Sequence, residues 1–238
     1  MTQPTKQLVL LHGWTPDKQV IDRLNPFKKQ LTEAGFVVHL WKIPGLTTDI
    51  DHSYTIEKYL EWLTKEITPL KNIVLVGHSF GGQLATVLAA KKPELVSKLI
   101  LIDSSGILDF IPSKVFKRWL FKILAKLFFF LAYVPLFKRA IYKLIRERDY
   151  IEANPAQQKT MRNVLNYSVL PLLNKITVPT LIIWGKDDLT TPLRIGKLFA
   201  KKIPNNIFKV LPARHSPVYT HPDLVVKEIL SFLKKESL

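Results

Sequence analysis

A chain of 238 residues with 47% hydrophobic side chains is long enough for one large α/β domain, or for a core with one insertion. It holds no cysteine, which excludes disulfides, thiolate metal sites and a cysteine nucleophile, and which suits a reducing, cytoplasmic setting. The formal charge of +16 implies attraction to anionic surfaces and says nothing about fold.

The first residues show no basic stretch leading into an apolar one, so no secretory signal is expected. They run into a strand expected at Gln7–Leu11. A helical pattern follows near Gln19–Glu33, then a strand at Val37–Ile43 and a helix over Thr55–Ile67. Next come a strand at Asn72–Val76, a helix over Gln83–Lys91 and a strand at Lys98–Asp103. After a long interruption the alternation resumes with a strand at Thr180–Trp184 and a helix near Pro192–Lys202. A strand at Ile207–Leu211 and a helix near Leu224–Lys235 complete it. Strands alternating with helices, and carrying continuous Val/Ile/Leu runs, predict an α/β fold with a mostly parallel sheet covered on both faces. In such sheets, sites lie outside the carboxyl ends of the strands. The longest strongly apolar stretch, Leu127–Phe137, is too short to span a bilayer and contains Pro135.

Residues 73–82 read Ile-Val-Leu-Val-Gly-His-Ser-Phe-Gly-Gly. An apolar strand entering Gly-x-Ser-x-Gly and leaving as a helix is the context in which this pattern forms a nucleophile elbow. Gly77 and Gly81 must be small, because a side chain at either place would collide with the neighbouring strand or helix. The tight turn lifts the Ser79 hydroxyl clear of the backbone. A serine hydroxyl is a weak nucleophile and needs a base within hydrogen-bond reach. Of six histidines, His12 and His78 sit inside turn motifs, His39 follows an apolar run and His52 lies in a polar loop. His221 precedes Pro222 at the start of the last helix, and His215 follows the last strand in Ala-Arg-His-Ser-Pro. Three carboxylates end strands or follow them: Asp103, Asp187 and Asp188.

Four segments together carry a family resemblance: Leu-His-Gly-Trp at 11–14, Gly-His-Ser-Phe-Gly-Gly at 77–82, Val-Pro-Thr-Leu-Ile-Ile-Trp-Gly-Lys-Asp-Asp at 178–188, and the His215 segment. In this order they resemble the α/β-hydrolase fold family, of the small type with a helical cap. The resemblance implies a triad of Ser79, Asp188 and His215, in the chain order usual for the fold. Some members carry the acid one strand earlier, which makes Asp103 the alternative acid and leaves Asp187 as a solvated neighbour. Arg214 stands where the family often has glycine. The resemblance also implies an oxyanion hole from the backbone N–H groups of Trp14 and Phe80, whose side chains would line the acyl pocket. A serine in the elbow leaves esters, thioesters, lactones, amides and carbon–carbon bonds beside a carbonyl. An aspartate there would have pointed to dehalogenase or epoxide hydrolase chemistry.

No His/Asp/Glu cluster has zinc spacing and no Gly-rich phosphate loop occurs, so no metal and no cofactor is expected. The expected division is a core of 1–104 and 171–238, with a helical lid over 105–170. Residues 110–162 carry twelve Lys/Arg against three Asp/Glu, and Lys114, Arg118, Lys122 and Lys126 recur at helical spacing. A lid with an apolar stripe over Ser79 is the plain expectation; a weak contact with an anionic membrane surface is the sharper one. Nucleic-acid binding is not expected, because no reading motif accompanies the charge. The sequence specifies no oligomeric state. The expected partner is a small-molecule ester, cleaved by a carboxylic-ester hydrolase acting on small to medium apolar acyl groups. A lactone, a lysophospholipid or a monoacylglycerol remains open as substrate. A ligand-binding receptor or scaffold on the same fold is the non-enzymatic alternative.

Overall fold

A computed structural model describes residues 7–15, 19–45, 50–107 and 154–234. The greater part of the expected lid, with its basic helical face, lies outside the described residues. Six strands form one all-parallel sheet: β1 Gln7–Leu11, β2 Val37–Trp41, β3 Val74–His78, β4 Lys98–Ile102, β5 Thr180–Gly185 and β6 Asn206–Leu211. Their order is β2-β1-β3-β4-β5-β6. The chain therefore reverses direction across the sheet between β1 and β3, and the Ser79 turn opens beside that point.

Side chains alternate across a strand, so each strand feeds two cores. Val9, Leu11, Leu75, Leu99, Leu101, Ile182 and Trp184 pack on one side. That side is covered by α3 Ile56–Ile67, α4 Phe80–Lys91, α5 Pro155–Leu165 and α6 Leu193–Lys202. Leu8, Leu10, Val74, Val76, Ile100, Ile102, Leu181 and Ile183 face the other way. There they meet α2 Asn25–Glu33, preceded by the short α1 Val20–Arg23, and α8 Pro222–Lys234, preceded by α7 Pro217–Thr220. Burial of one Leu or Ile contributes roughly 1.5–3 kcal/mol, so two faces of this kind hold the sheet between the helix layers. Helix α4 is buried from Phe80 to Ala89, as expected of a helix that is apolar all round.

The differences from the sequence expectation have local causes. The helix expected over Gln19–Glu33 breaks at Leu24, where Pro26 opens a second helix. Strand β2 stops at Trp41, because the Ile43 N–H leaves the ladder to donate to His12 Nε2 at 3.2 Å. Asn72 takes a left-handed φ of 53°, which makes it a turn residue and delays β3 to Val74. The same strand continues to His78, which pairs with Ile102. Among the described residues no helix is long and apolar enough to cross a membrane.

Candidate active site

The site is assembled from loops at the carboxyl ends of five strands, β1, β3, β4, β5 and β6. Ser79 follows β3 with φ 52° and ψ −114°, a conformation that a non-glycine residue holds only when its surroundings enforce it. They do so at both ends of the residue. The Ser79 N–H donates to Ile102 O at 3.0 Å, and Ser79 O accepts from Gln83 N at 3.1 Å and Ser105 N at 3.0 Å. The two elbow glycines have the reason expected of them. A Cβ on Gly81 would lie 2.2 Å from Leu11 O, and one on Gly77 would lie 2.5 Å from Gly81 O. The elbow is thus clamped between β1 and the start of α4.

His215 follows β6 and lies across the turn. Its Nε2 is 3.1 Å from Ser79 Oγ, and its Nδ1 is 2.7 Å from Asp188 Oδ2. With the proton on Nδ1, facing the carboxylate, Nε2 accepts from the serine hydroxyl. Asp188 is buried, with its other oxygen receiving the N–H groups of Thr190 at 2.7 Å and Thr191 at 2.9 Å. The Thr191 hydroxyl donates to Oδ2 at 2.7 Å. Burial pushes the Asp188 carboxyl up, but the His215 hydrogen bond and charge, with Thr191, outweigh it and hold the group below the usual range. Asp188 therefore stays ionised beside the imidazole. Asp187, its neighbour, is exposed, and its N–H is spent on Ala213 O at 3.0 Å.

Asp103 does not face His215 Nδ1 in this arrangement. Its carboxylate accepts the Gly185 N–H on Oδ1 at 2.8 Å and the Ser216 N–H on Oδ2 at 3.0 Å. Burial pushes it up to about 7; the Gly185 N–H opposes that shift and the Asp188 charge adds to it. Trp14 and Phe80 meet edge to face with ring centroids 5.7 Å apart. Phe80 is the first residue of α4, so its N–H is among those a helix leaves without an intrahelical acceptor. The next N–H, from Gly81, is donated to His12 O at 3.1 Å, joining the elbow to the loop that carries Trp14. Arg214 is exposed, and a Cβ on Gly185 would lie 2.5 Å from its carbonyl oxygen, so the acid and histidine loops run in contact.

His78 is buried with neither ring nitrogen hydrogen-bonded, its ring 5.3 Å from that of His215 and 5.7 Å from that of Tyr219. Burial, and then the neighbouring His215 and His12, hold its pKa well below the usual histidine range, so it is neutral. His12 is likewise lowered by burial; it bonds Gly13 O and receives Ile43 N. His12 thus ties the loop after β1 to Ile43, whereas His78 packs by its ring alone. His78, Asp103 and His215 bring ligand-type atoms within 4.8 Å of one another. Both Asp103 oxygens and both His215 nitrogens already hold hydrogen bonds, so this donor set does not fit a metal ion.

Sequence reasoning missed the residues that hold the acid and base in place: Thr190, Thr191, Ser216 and, behind the serine, Gln83. An Asp followed by Thr-Thr two and three positions on is a readable signal for the side-chain-to-backbone turn that Asp188 forms. Gln83 and Ser216 offered none, because their partners come from distant segments.

A sequence model described as the alpha/beta hydrolase family matches residues 8–228. An uncharacterized hydrolase, YugF of Bacillus subtilis (strain 168), is 30% identical; the match covers 69% of this chain and 66% of that relative's length. A pimeloyl-[acyl-carrier protein] methyl ester esterase of Wigglesworthia glossinidia brevipalpis is 28% identical over 96% of this chain and 93% of its own. The solved enol-lactonase of Burkholderia xenovorans LB400 superposes with a TM-score of 0.71 at 19% identity, covering 98% of this chain and 91% of that one.

Proposed function

The chain belongs to the alpha/beta hydrolase family, and from that premise we propose that it cleaves carboxylic esters of small to medium apolar acids through an acyl-enzyme on Ser79. The observation that carries this reading is the unbroken path from Ser79 Oγ through His215 to Asp188, with steps of 3.1 and 2.7 Å. Similarity to a methyl ester esterase along nearly the whole chain supports an ester as the bond cleaved.

Ser79 Oγ attacks the ester carbonyl carbon while His215 Nε2 takes its proton. The carbonyl electron pair moves onto oxygen, where the N–H groups of Phe80 and Trp14 hold the charge; each such donor is typically worth about 10²–10³ in turnover. The tetrahedral intermediate collapses, the carbon–oxygen bond to the alcohol breaks, and the leaving oxygen takes the proton from His215. Water then adds to the acyl-serine, giving a proton to His215. Collapse releases the acid, and Ser79 recovers that proton. Asp188 stabilises the imidazolium at each proton transfer and fixes its tautomer. Every step needs only water as co-reactant. A lactone would open by the same sequence.

The test is hydrolysis of p-nitrophenyl acetate, butyrate and octanoate and of a simple lactone, by wild type and by Ser79→Ala, alongside fluorophosphonate labelling. Turnover and labelling are expected in wild type and lost together in the variant. Full labelling or full turnover in Ser79→Ala would remove Ser79 from the reaction. Binding of esters by wild type with no turnover of any would favour the receptor alternative.

A further inference from the structure

Asp103 presents an unusual use of a buried carboxylate. It is 0% exposed, it is not the partner of His215, and it adopts a left-handed φ of 44°. Its two oxygens reach in two directions. Oδ1 receives the N–H of Gly185, the last residue of β5 and three before Asp188. Oδ2 receives the N–H of Ser216, the residue after His215, which itself sits at a left-handed φ of 78°. The Asp103 backbone is tied as well, its N–H donating to Ile183 O at 3.0 Å and its carbonyl lying 3.2 Å from the Thr191 hydroxyl that donates to Asp188.

We propose that Asp103 is a positioning residue, whose ionised carboxylate clamps the acid loop and the histidine loop to each other so that Asp188 and His215 stay in line with Ser79. This deepens the hydrolase reading and rests on it for its kinetic consequence. The loops after β5 and β6 meet through His215 and Asp188 themselves and through the Lys186 and Asp187 N–H groups on Leu211 O and Ala213 O; Asp103 adds a side chain from the end of a third strand that bonds both. A carboxylate can accept both N–H groups because it has no donor of its own. A carboxamide must turn a donor toward one of them, and the hydroxyl oxygen of a neutral carboxyl accepts more weakly. Strained backbone at Ser216 makes that arm the one to slip, and His215 is the adjacent residue. A small displacement at a base costs turnover more than binding, on the order of 10²-fold for about 1 Å.

The clamp also carries charge. Asp103 is faced by Asp188 from the β5 loop, His215 from the β6 loop and the neutral His78 from β3. Burial raises the Asp103 carboxyl to about 7, so its protonation slackens the clamp as pH falls through that value. That contribution to the acid side of the wild-type profile disappears when position 103 cannot ionise.

The test compares wild type with Asp103→Asn, which preserves shape, and with Asp188→Asn and Ser79→Ala as controls. In Asp103→Asn, kcat is expected to fall by about 10-fold to 10²-fold with KM within about two-fold. The acid limb of log kcat/KM against pH should be less steep in the variant than in wild type, because the Asp103 protonation is gone. Amide hydrogen exchange at Ser216 should accelerate in the variant, a readout that requires no turnover. Unchanged kcat, or a reduced kcat with an unchanged acid limb, would reduce Asp103 to a packing residue and overturn the proposal. A loss as deep as that of Ser79→Ala, with Asp188→Asn mild, would overturn it by making Asp103 the triad acid. If Ser79→Ala retains full turnover, the hydrolase reading fails separately, and the clamp then stands or falls on the Ser216 exchange rate.

Discussion

Asp187 and Asp188 are neighbours in sequence and opposites in environment. One is exposed; the other is buried under His215 and receives three donors from Thr190 and Thr191. Asp188→Asn keeps the shape but offers its amide group or a neutral oxygen to His215, which then loses its fixed tautomer. Turnover is expected to fall by about 10³–10⁴, by analogy with other triads, while Asp187→Asn stays near wild type. Steady-state kinetics on p-nitrophenyl butyrate check both; a mild Asp188→Asn would displace this residue from the acid role. Thr191 is the finer probe. Thr191→Val removes the hydroxyl from Asp188 Oδ2 and leaves the backbone N–H in place. A single lost hydrogen bond to a charged group amounts to about 1.5–3 kcal/mol, so a loss of roughly 10-fold to 10²-fold in kcat is expected. Turnover equal to wild type would mean that the backbone N–H groups alone hold the acid.

At the scale of elements, the elbow and the segment around α5 are held by different means. The elbow depends on close approach: the place that a Cβ on Gly81 would occupy is already filled by Leu11 O at 2.2 Å. Backbone cannot yield as a side chain tip can, so Gly81→Ala should cost about 3 kcal/mol or more. Urea unfolding measures it, and a cost under about 1 kcal/mol would show that β1 and α4 separate easily. The segment around α5 depends instead on polar tethers. Gln83 Nε2, buried in the first turns of α4, donates to Val164 O and Tyr167 O, each at 3.0 Å. Asn163 Nδ2 reaches Tyr54 O at 2.8 Å, Asn154 Nδ2 reaches Ile50 O at 3.3 Å, and Tyr54 N donates to Thr160 Oγ1 at 2.9 Å. Helix α5 is thus fastened to the nucleophile helix and to the segment before α3. Gln83→Leu would take the donor from Tyr167 O and leave Val164 O with the Tyr167 N–H at 3.3 Å, at about 1–3 kcal/mol for an unsatisfied buried group. A lower Tm and faster proteolysis within 154–167 are expected; unchanged cleavage would mean that the apolar contacts of Val164 and Val169 suffice.

Over the whole molecule, what the sequence made legible was what repeats or what is local. Continuous Val/Ile/Leu runs announced a parallel sheet, and each β-strand was found within two residues of its expected place. Ser79, Asp188 and His215 stood in motifs short enough to read, and the fold brings all three together. The two-face use of Asp103 was not legible, because it depends on Gly185 and Ser216 arriving from strands that are distant in sequence. That long-range burial has a consequence for stability. Folding raises the Asp103 carboxyl from the ordinary 3.8 to about 7, so between those pH values the folded protein keeps a proton that the unfolded chain releases. Its contribution to stability therefore falls as pH rises through that window. Asp188 has the opposite sign and a lower window, since its depressed carboxyl loses stabilisation only as pH falls below the ordinary carboxylate value. His12, His39 and His78 are all lowered, chiefly by burial, so they resist charging when folded and make stability rise with pH up to the ordinary histidine range. The wild-type stability curve sums these opposed slopes, and a single curve would not separate them. Asp103→Asn deletes one slope and leaves the others. The stability of wild type relative to this variant should decline by as much as about 4 kcal/mol from pH 4 to pH 8, three units at about 1.4 kcal/mol each. Urea unfolding of both proteins across that range measures the difference. A difference that stays constant with pH would show that Asp103 ionises at its ordinary value in the folded protein, and one that grows in favour of wild type as pH rises would show that it ionises below that value.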